Sequence, residues 1–202
     1  MANIFRPSPL ALAVLVLLYE APMHPYRMQQ LIKERGKDRV INVQRRASLY
    51  QTIRQLLQQG LIEVHSTARR ENRPERTIYA LTEKGLHEAK TWLRKILSTP
   101  SLEFPEFPAA ISFLPLLTQE DALRQLETRE QALAQDLAEL QSVYEQASAQ
   151  LPRLFLLEDE LVIATQEAEL KWVRGLIADL RSGVIHWDEA DLRQDTTSED
   201  SD

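Results

Sequence analysis

The 202-residue chain contains no cysteine. That excludes a disulfide framework, a thiolate nucleophile and cysteine-based metal centres, and nothing argues for secretion. Glycine is scarce, five in all, and none of it forms the Gly-rich loop that cradles phosphates. The four histidines, His24, His65, His87 and His186, fall on separate segments without metal-ligand spacing. The longest apolar run, Leu10 to Tyr19, is far shorter than the roughly 20 residues of a spanning helix, and no small-residue cleavage site follows it. The acidic run Glu158-Asp159-Glu160 reads as a solvated helix face rather than a catalytic pair. Together these absences predict a cytoplasmic chain that is not an enzyme, binds no metal or cofactor and has no membrane partner.

What is present is unevenly distributed. The net charge of −6 conceals two opposite halves: residues 1–97 carry 17 Lys+Arg against 8 Asp+Glu, and residues 98–202 carry 7 against 22. Such asymmetry suggests that the first half meets a polyanion and the second does not. From Asp188 to Asp202 the sequence is acidic with almost no apolar residue, so burial cannot offset its ordering entropy. The expected organisation is an N-terminal domain over residues 1–97, a helical domain over 98–183 and an acidic disordered tail over 184–202.

Within the first domain, residues from about Ser8 to Ala21 are apolar nearly all round, as in a helix enclosed by its neighbours, and Pro22 stops them. A second helix runs from about His24 to Arg35, with Met28, Leu31 and Ile32 inward and Gly36 as its stop. After a polar connection, a third helix spans about Arg45 to Gln59. Its Leu49, Ile53, Leu56 and Leu57 share one face, while Ala47, Ser48, Gln51, Arg54, Gln55 and Gln58 project opposite. Gly60 ends it. LIEVHST then alternates as a strand, with Ile62, Val64 and Ser66 on one side, and RTIYAL returns after the polar excursion Ala68 to Glu75. Thr82 caps a fourth helix.

Residues 98–117 hold four prolines and three phenylalanines and read as a joint. A long helix begins at Thr118 with a heptad in which Leu123, Glu130, Leu137 and Tyr144 occupy one seam position and Leu126, Leu133, Leu140 and Ala147 the other. Pro152 breaks it. A last helix, about Arg153 to Arg181, carries Leu157, Leu161, Ala164, Ala168 and Trp172 at spacings of three and four, and Gly183 ends it. The fold class is therefore mainly α, a winged helix-turn-helix domain followed by a long-helix dimerisation domain.

Three short helices followed by a two-stranded hairpin are the winged-helix order, in which the third helix enters the major groove. Arg can pair with guanine O6 and N7 and Gln with adenine N6 and N7, so Ser48, Gln51, Arg54 and Gln55 are the candidate base readers. Arg45 and Arg46, at the helix N-terminus, suit phosphate. The wing tip packs Arg69, Arg70, Arg73 and Arg76 into eight residues, an arrangement that fits an approaching anion.

At SLYQTIRQLLQQGLIE (Ser48 to Glu63), in RPERTIYALTEKG (Arg73 to Gly85) and in HPYRM (His24 to Met28), the chain resembles the PadR family of transcriptional regulators. With the apolar helix before them, the resemblance covers nearly all of residues 8–97. Pro25, Gln51 and Asn72 stand where the family commonly has Gly, Pro and Gly. The resemblance implies a DNA-binding regulator, often a repressor, with Tyr26 and Tyr50 near phosphate and the C-terminal helices pairing two copies.

Two readings of the second half stay open. Its stripes (Leu123, Leu126, Leu133, Leu137, Leu140, Leu157, Leu161, Trp172) can join two copies, or can pair the long helices within one chain, or both. Trp92, Trp172, Phe104, Phe107 and Phe113 fit a core or interface, or else a pocket for a planar aromatic effector. The partners expected are double-stranded DNA, at a palindromic operator, a second copy of the chain and an aromatic small molecule. Two alternatives remain: an adaptor whose acidic helical half binds a basic partner, and a ligand-binding sensor or hydrolase with an incidental basic face.

Overall fold

The computed structural model describes residues 8–43, 45–68 and 76–187. The chain divides between Leu102 and Glu103 into two compact units.

The first unit contains α1 (Pro9–Glu20), α2 (Pro25–Glu34), α3 (Arg46–Gln58), β1 (Ile62–Ala68), β2 (Arg76–Leu81) and α4 (Glu83–Ser98). Ser8 caps α1 by accepting from the Ala11 amide at 3.1 Å, with Pro9 preset for the first turn. Leu10, Ala11, Val14, Leu15, Leu17 and Leu18 are all buried, so α1 is the central rod on which α3, α4 and β2 pack. At its end, Glu20 accepts from both terminal nitrogens of Arg35, at 2.6 and 2.7 Å, tying α1 to the end of α2. That hydrogen bonding holds the Glu20 carboxyl below its ordinary value. His24 caps α2 through Nδ1, which accepts from the Arg27 amide at 3.1 Å and so must be unprotonated there.

The stretch between α2 and α3 is more structured than a polar connection. Gly36, at φ 68°, leads into a 3-10 turn over Lys37–Arg39, Val43 is buried, and Gln29 Nε2 donates to the Val43 carbonyl at 3.0 Å. This anchors the approach to α3, which buries Leu49, Thr52, Ile53 and Leu56.

β1 and β2 form an antiparallel hairpin. Simple alternation would turn Val64 inward with Ile62. The register is regular from Ile62 through Val64, yet Val64 is 53% exposed; beyond it a bulge falls between Val64 and Ser66. One extra residue on β1, His65, shifts the register and twists the strand, which no alternation pattern reveals. The hairpin gains a third partner at Met23, whose backbone exchanges two hydrogen bonds with Tyr79, at 3.1 and 3.0 Å.

The hairpin base is locked to α4. Thr82 Oγ1 accepts from the Gly85 amide at 3.0 Å and lies 2.8 Å from the Gly60 carbonyl and 3.0 Å from the Leu61 carbonyl. Lys84 Nζ donates to the Gln59 carbonyl at 2.7 Å. Gly85 is required by close approach: a Cβ there would lie 1.9 Å from the Leu61 carbonyl oxygen.

The second unit contains α5 (Glu106–Ser112), α6 (Gln119–Ser148) and α7 (Leu157–Ser182), so the proline-rich joint itself holds a short helix. α6 and α7 pair along their length. Leu126 of α6 packs with Val173, Ile177 and Leu180 of α7, and Phe107, Ile111, Leu123, Leu133, Leu176 and Trp187 close around them. Arg129 Nε donates to Glu169 at 2.9 Å, Arg174 to Glu130 at 2.8 Å and Arg181 to Glu127 at 2.7 Å. Glu130, an ill-fitting seam residue by heptad rules, is thus an interhelical salt-bridge partner. At the turn, Arg153 donates to both oxygens of Glu160, each at 2.8 Å, and Tyr144 donates to Glu160 at 3.0 Å. The Arg153 bonds, chiefly, hold the Glu160 carboxyl below its ordinary value.

Candidate nucleic-acid interface

α3 is amphipathic in the sense its sequence requires, and its two faces have different jobs. Leu49, Ile53 and Leu56 are buried and fix the helix to the core. Ala47, Tyr50, Gln51, Arg54 and Gln58 are exposed and form one stripe at spacings of three and four. Among the described residues no hydrogen bond or ion pair engages the side chains of Gln51, Arg54 or Gln58. Between Asp38 and Glu63 the chain has no acidic residue, so nothing on this face repels phosphate. Ser48 and Gln55, grouped with the outer face by periodicity, are half-buried at the stripe's edge.

The start of α3 adds positive potential. Arg45 is its exposed N-cap and makes no side-chain cap bond, in contrast to Ser8, His24 and Thr82 at the other helix starts of the unit. The Ser48 amide donates to the Arg45 carbonyl at 3.1 Å, and no N-cap side chain competes with an anion at the positive end of the helix dipole. Tyr26, in the first turn of α2, is 56% exposed and its ring stacks on His24 with centroids 6.1 Å apart; Tyr50 is 51% exposed. Arg69, Arg70 and Arg73 lie outside the described residues. Arg46 and Arg76 enter through their backbone, as the first residues of α3 and β2.

In the second unit, the candidate dimer residues divide. Leu126, Leu137 and Leu140 are buried within the chain and Leu123 and Leu133 are half-buried, because the heptad face of α6 is taken up largely by α7. On α7 the inward stripe is Leu170, Val173, Ile177 and Leu180. Leu157, Leu161 and Trp172 lie outward, with Leu161 69% and Trp172 49% exposed, and Ala164 and Ala168 are exposed beside them. α7 thus has two apolar stripes, and sequence spacing alone singled out the outer one.

Of the aromatic residues considered for an effector, Trp92 packs against the core of the first unit. Phe107 packs in the second, edge-on to Trp172 at 6.1 Å and beneath Arg129, whose guanidinium carbon is 3.5 Å from the ring centroid. Phe104 and Phe113 are exposed. An open groove of about 470 Å³ runs along α7, lined by Ala168, Lys171, Trp172, Gly175, Leu176, Asp179 and Ile185. Of the five aromatic residues considered, Trp172 lines it and Trp92, Phe104, Phe107 and Phe113 do not. Among the described residues no group of three or more His, Asp or Glu side chains could hold a metal ion, and no helix is long and apolar enough to cross a membrane.

Residues 14–91 match the model of the transcriptional regulator PadR-like family. The chain is similar in structure to Bacillus subtilis PadR in complex with operator DNA, at a TM-score of 0.68 and 21% identity over 87% of this chain and 99% of that one. It is also similar to the same Bacillus subtilis protein in complex with p-coumaric acid, at 0.69 and 20% over 85% and 98%. The Vibrio cholerae virulence activator AphA matches at 0.65 and 17% over 86% and 98%. Comparison with curated protein sequences finds no significant match. The first unit thus matches the model of the transcriptional regulator PadR-like family over residues 14–91, and the fold of the chain is similar to that of these solved structures over more than four-fifths of its length.

Proposed function

We propose that this regulator acts in the cytoplasm as a homodimer that binds a palindromic operator, represses by occupying promoter DNA, and is released by a small aromatic effector. The observation that carries the reading is the exposed stripe of α3, basic and amide-bearing, free of acids and held from behind by buried Leu49, Ile53 and Leu56. Gln51 and Arg54 supply base-reading chemistry, with Ser48 and Gln55 at the edge. Arg45, Arg46, Tyr26 and Tyr50, with Arg69, Arg70, Arg73 and Arg76 of the wing, supply phosphate contacts. Two-fold symmetry would set two such heads on half-sites separated by about one helical turn, roughly 10 base pairs.

The dimer contact is assigned to the outer stripe of α7, Leu157, Leu161 and Trp172, because an apolar strip of this length is costly to leave in water. The effector is placed in the groove beside it. Trp172 offers a stacking face and Lys171 a cation, a combination suited to an aromatic carboxylate, and the bound p-coumaric acid of the Bacillus subtilis structure is a ligand of that class. A ligand there would change DNA affinity only by binding one arrangement of the two heads better than another.

The test is a gel shift on the chain's own promoter. Wild-type protein should bind an inverted repeat, and Arg54→Ala combined with Arg46→Ala should lose it while remaining folded by circular dichroism. Undiminished binding by the double variant would remove α3 as the reading element.

A further inference from the structure

Resting on the assignment of α3 as the reading helix, we infer that Ala47 is a specificity-determining residue that reads the 5-methyl group of a thymine. Ala47 lies in the first turn of α3, is exposed, and shares the outward stripe with Gln51 and Arg54. Major-groove reading helices place their N-terminal residues at the base edges, so the first turn is where a base contact is expected. At that position the chain presents a bare methyl, about one helical turn before Gln51. The apolar feature of the major groove that a methyl complements is the thymine C5 substituent.

Spacing fixes the order of the site. At a rise of about 1.5 Å per residue, Ala47 to Gln51 spans about 6 Å and Gln51 to Arg54 about 4.5 Å, together close to three base-pair steps of about 3.4 Å. Ala47, Gln51 and Arg54 thus address, in order, pairs spread over about three steps, with about two steps between the first two and about one between the last two: an A·T pair read at the thymine methyl, an A·T pair read at adenine, and a G·C pair read at guanine. Gln58 lies about 16 Å along the helix from Ala47, beyond the first three turns that fit the groove. With no acid anywhere from residue 39 to residue 62, the helix has no carboxylate to accept from cytosine N4, so the half-site is read from its T, A and G edges. A side chain larger than alanine would hold the helix start away from the groove floor.

The experiment selects bound duplexes from a random pool with the full-length protein, then replaces each selected thymine by uracil, one position at a time, and measures affinity by fluorescence anisotropy. The expected result is one thymine per half-site at which uracil weakens wild-type binding about fourfold, the factor for one buried methyl group of about 0.8 kcal/mol. The same replacement should leave Ala47→Gly unaffected. Each protein is compared with itself on the two duplexes, so a general loss of helix stability in Ala47→Gly does not enter. If no uracil weakens wild-type binding, or if it weakens Ala47→Gly equally, Ala47 does not read the methyl although α3 still reads DNA. A pool that enriches no sequence overturns the reading-helix assignment itself, and this inference with it.

Discussion

Replacing Gly85 by alanine inserts a methyl group where the structure has least room for one. The new Cβ would lie 1.9 Å from the Leu61 carbonyl oxygen, 2.9 Å from its carbon and 2.8 Å from Leu81 Cδ1. The Leu81 side chain can rotate, but the Leu61 carbonyl cannot move freely, because it accepts from the Thr82 amide at 3.2 Å and lies 3.0 Å from Thr82 Oγ1. Relief requires α4 and the end of α3 to separate by about 1 Å, with an overpacking cost of about 1 to 3 kcal/mol. Loosening the Thr82 cap on Gly85 adds about 1 kcal/mol. Alanine's better helix propensity returns about 1 kcal/mol. The balance is a loss of about 2 kcal/mol, which for a unit of this size lowers its unfolding midpoint by about 8 to 16 °C. Hydrogen exchange read by mass spectrometry on α3, β1 and α4 peptides measures the loss locally, and DNA affinity should fall with it because the wing and reading helix share this joint. Unchanged or increased protection in those peptides would refute the reasoning.

Leu161→Asp combined with Trp172→Asp should convert a dimer to a monomer by light scattering while helicity is retained, since both side chains are exposed in the single chain; an unchanged mass would move the contact elsewhere. Glu20→Gln removes a carboxylate held below its ordinary value of 4.5 by Arg35. A lowered folded-state value contributes stability that is present above the unfolded value and lost as pH falls through the folded one. Because both side chains are about two-fifths exposed, the loss at neutral pH should be under about 1 kcal/mol. The difference between wild type and variant in urea titrations should persist as pH falls to 4.5 and close only below it.

The parts of the fold that were readable from the sequence are those set by local periodicity and punctuation. Leu49, Ile53 and Leu56 mark the buried face of α3 by spacing alone, Gly60 at φ 66° ends its turn, and Thr82 caps α4 through a bond three residues away. What periodicity could not supply is partnership. The bulge at His65 depends on the register imposed by β2, and the Met23 bridge joins residues far apart in the chain. α7 carries apolar stripes on two faces, and only the position of α6 decides that Val173 and Ile177 turn inward while Leu161 and Trp172 do not. Within the site, Gln51 and Arg54 were evident as an outward pair, whereas the half-burial of Ser48 and Gln55 comes from neighbouring elements. Gly85 looked like a motif residue; its reason, the carbonyl of Leu61, is tertiary.

The central claim is that the positive first unit is built to lie on duplex phosphates. The most direct measurement is the association constant for an operator-containing duplex as a function of salt. With Arg45, Arg46 and a wing arginine on each of two protomers, about six neutralised phosphates give a slope of log K against log salt near −5. A slope close to zero, or no binding to duplex DNA even in dilute buffer, would contradict the account.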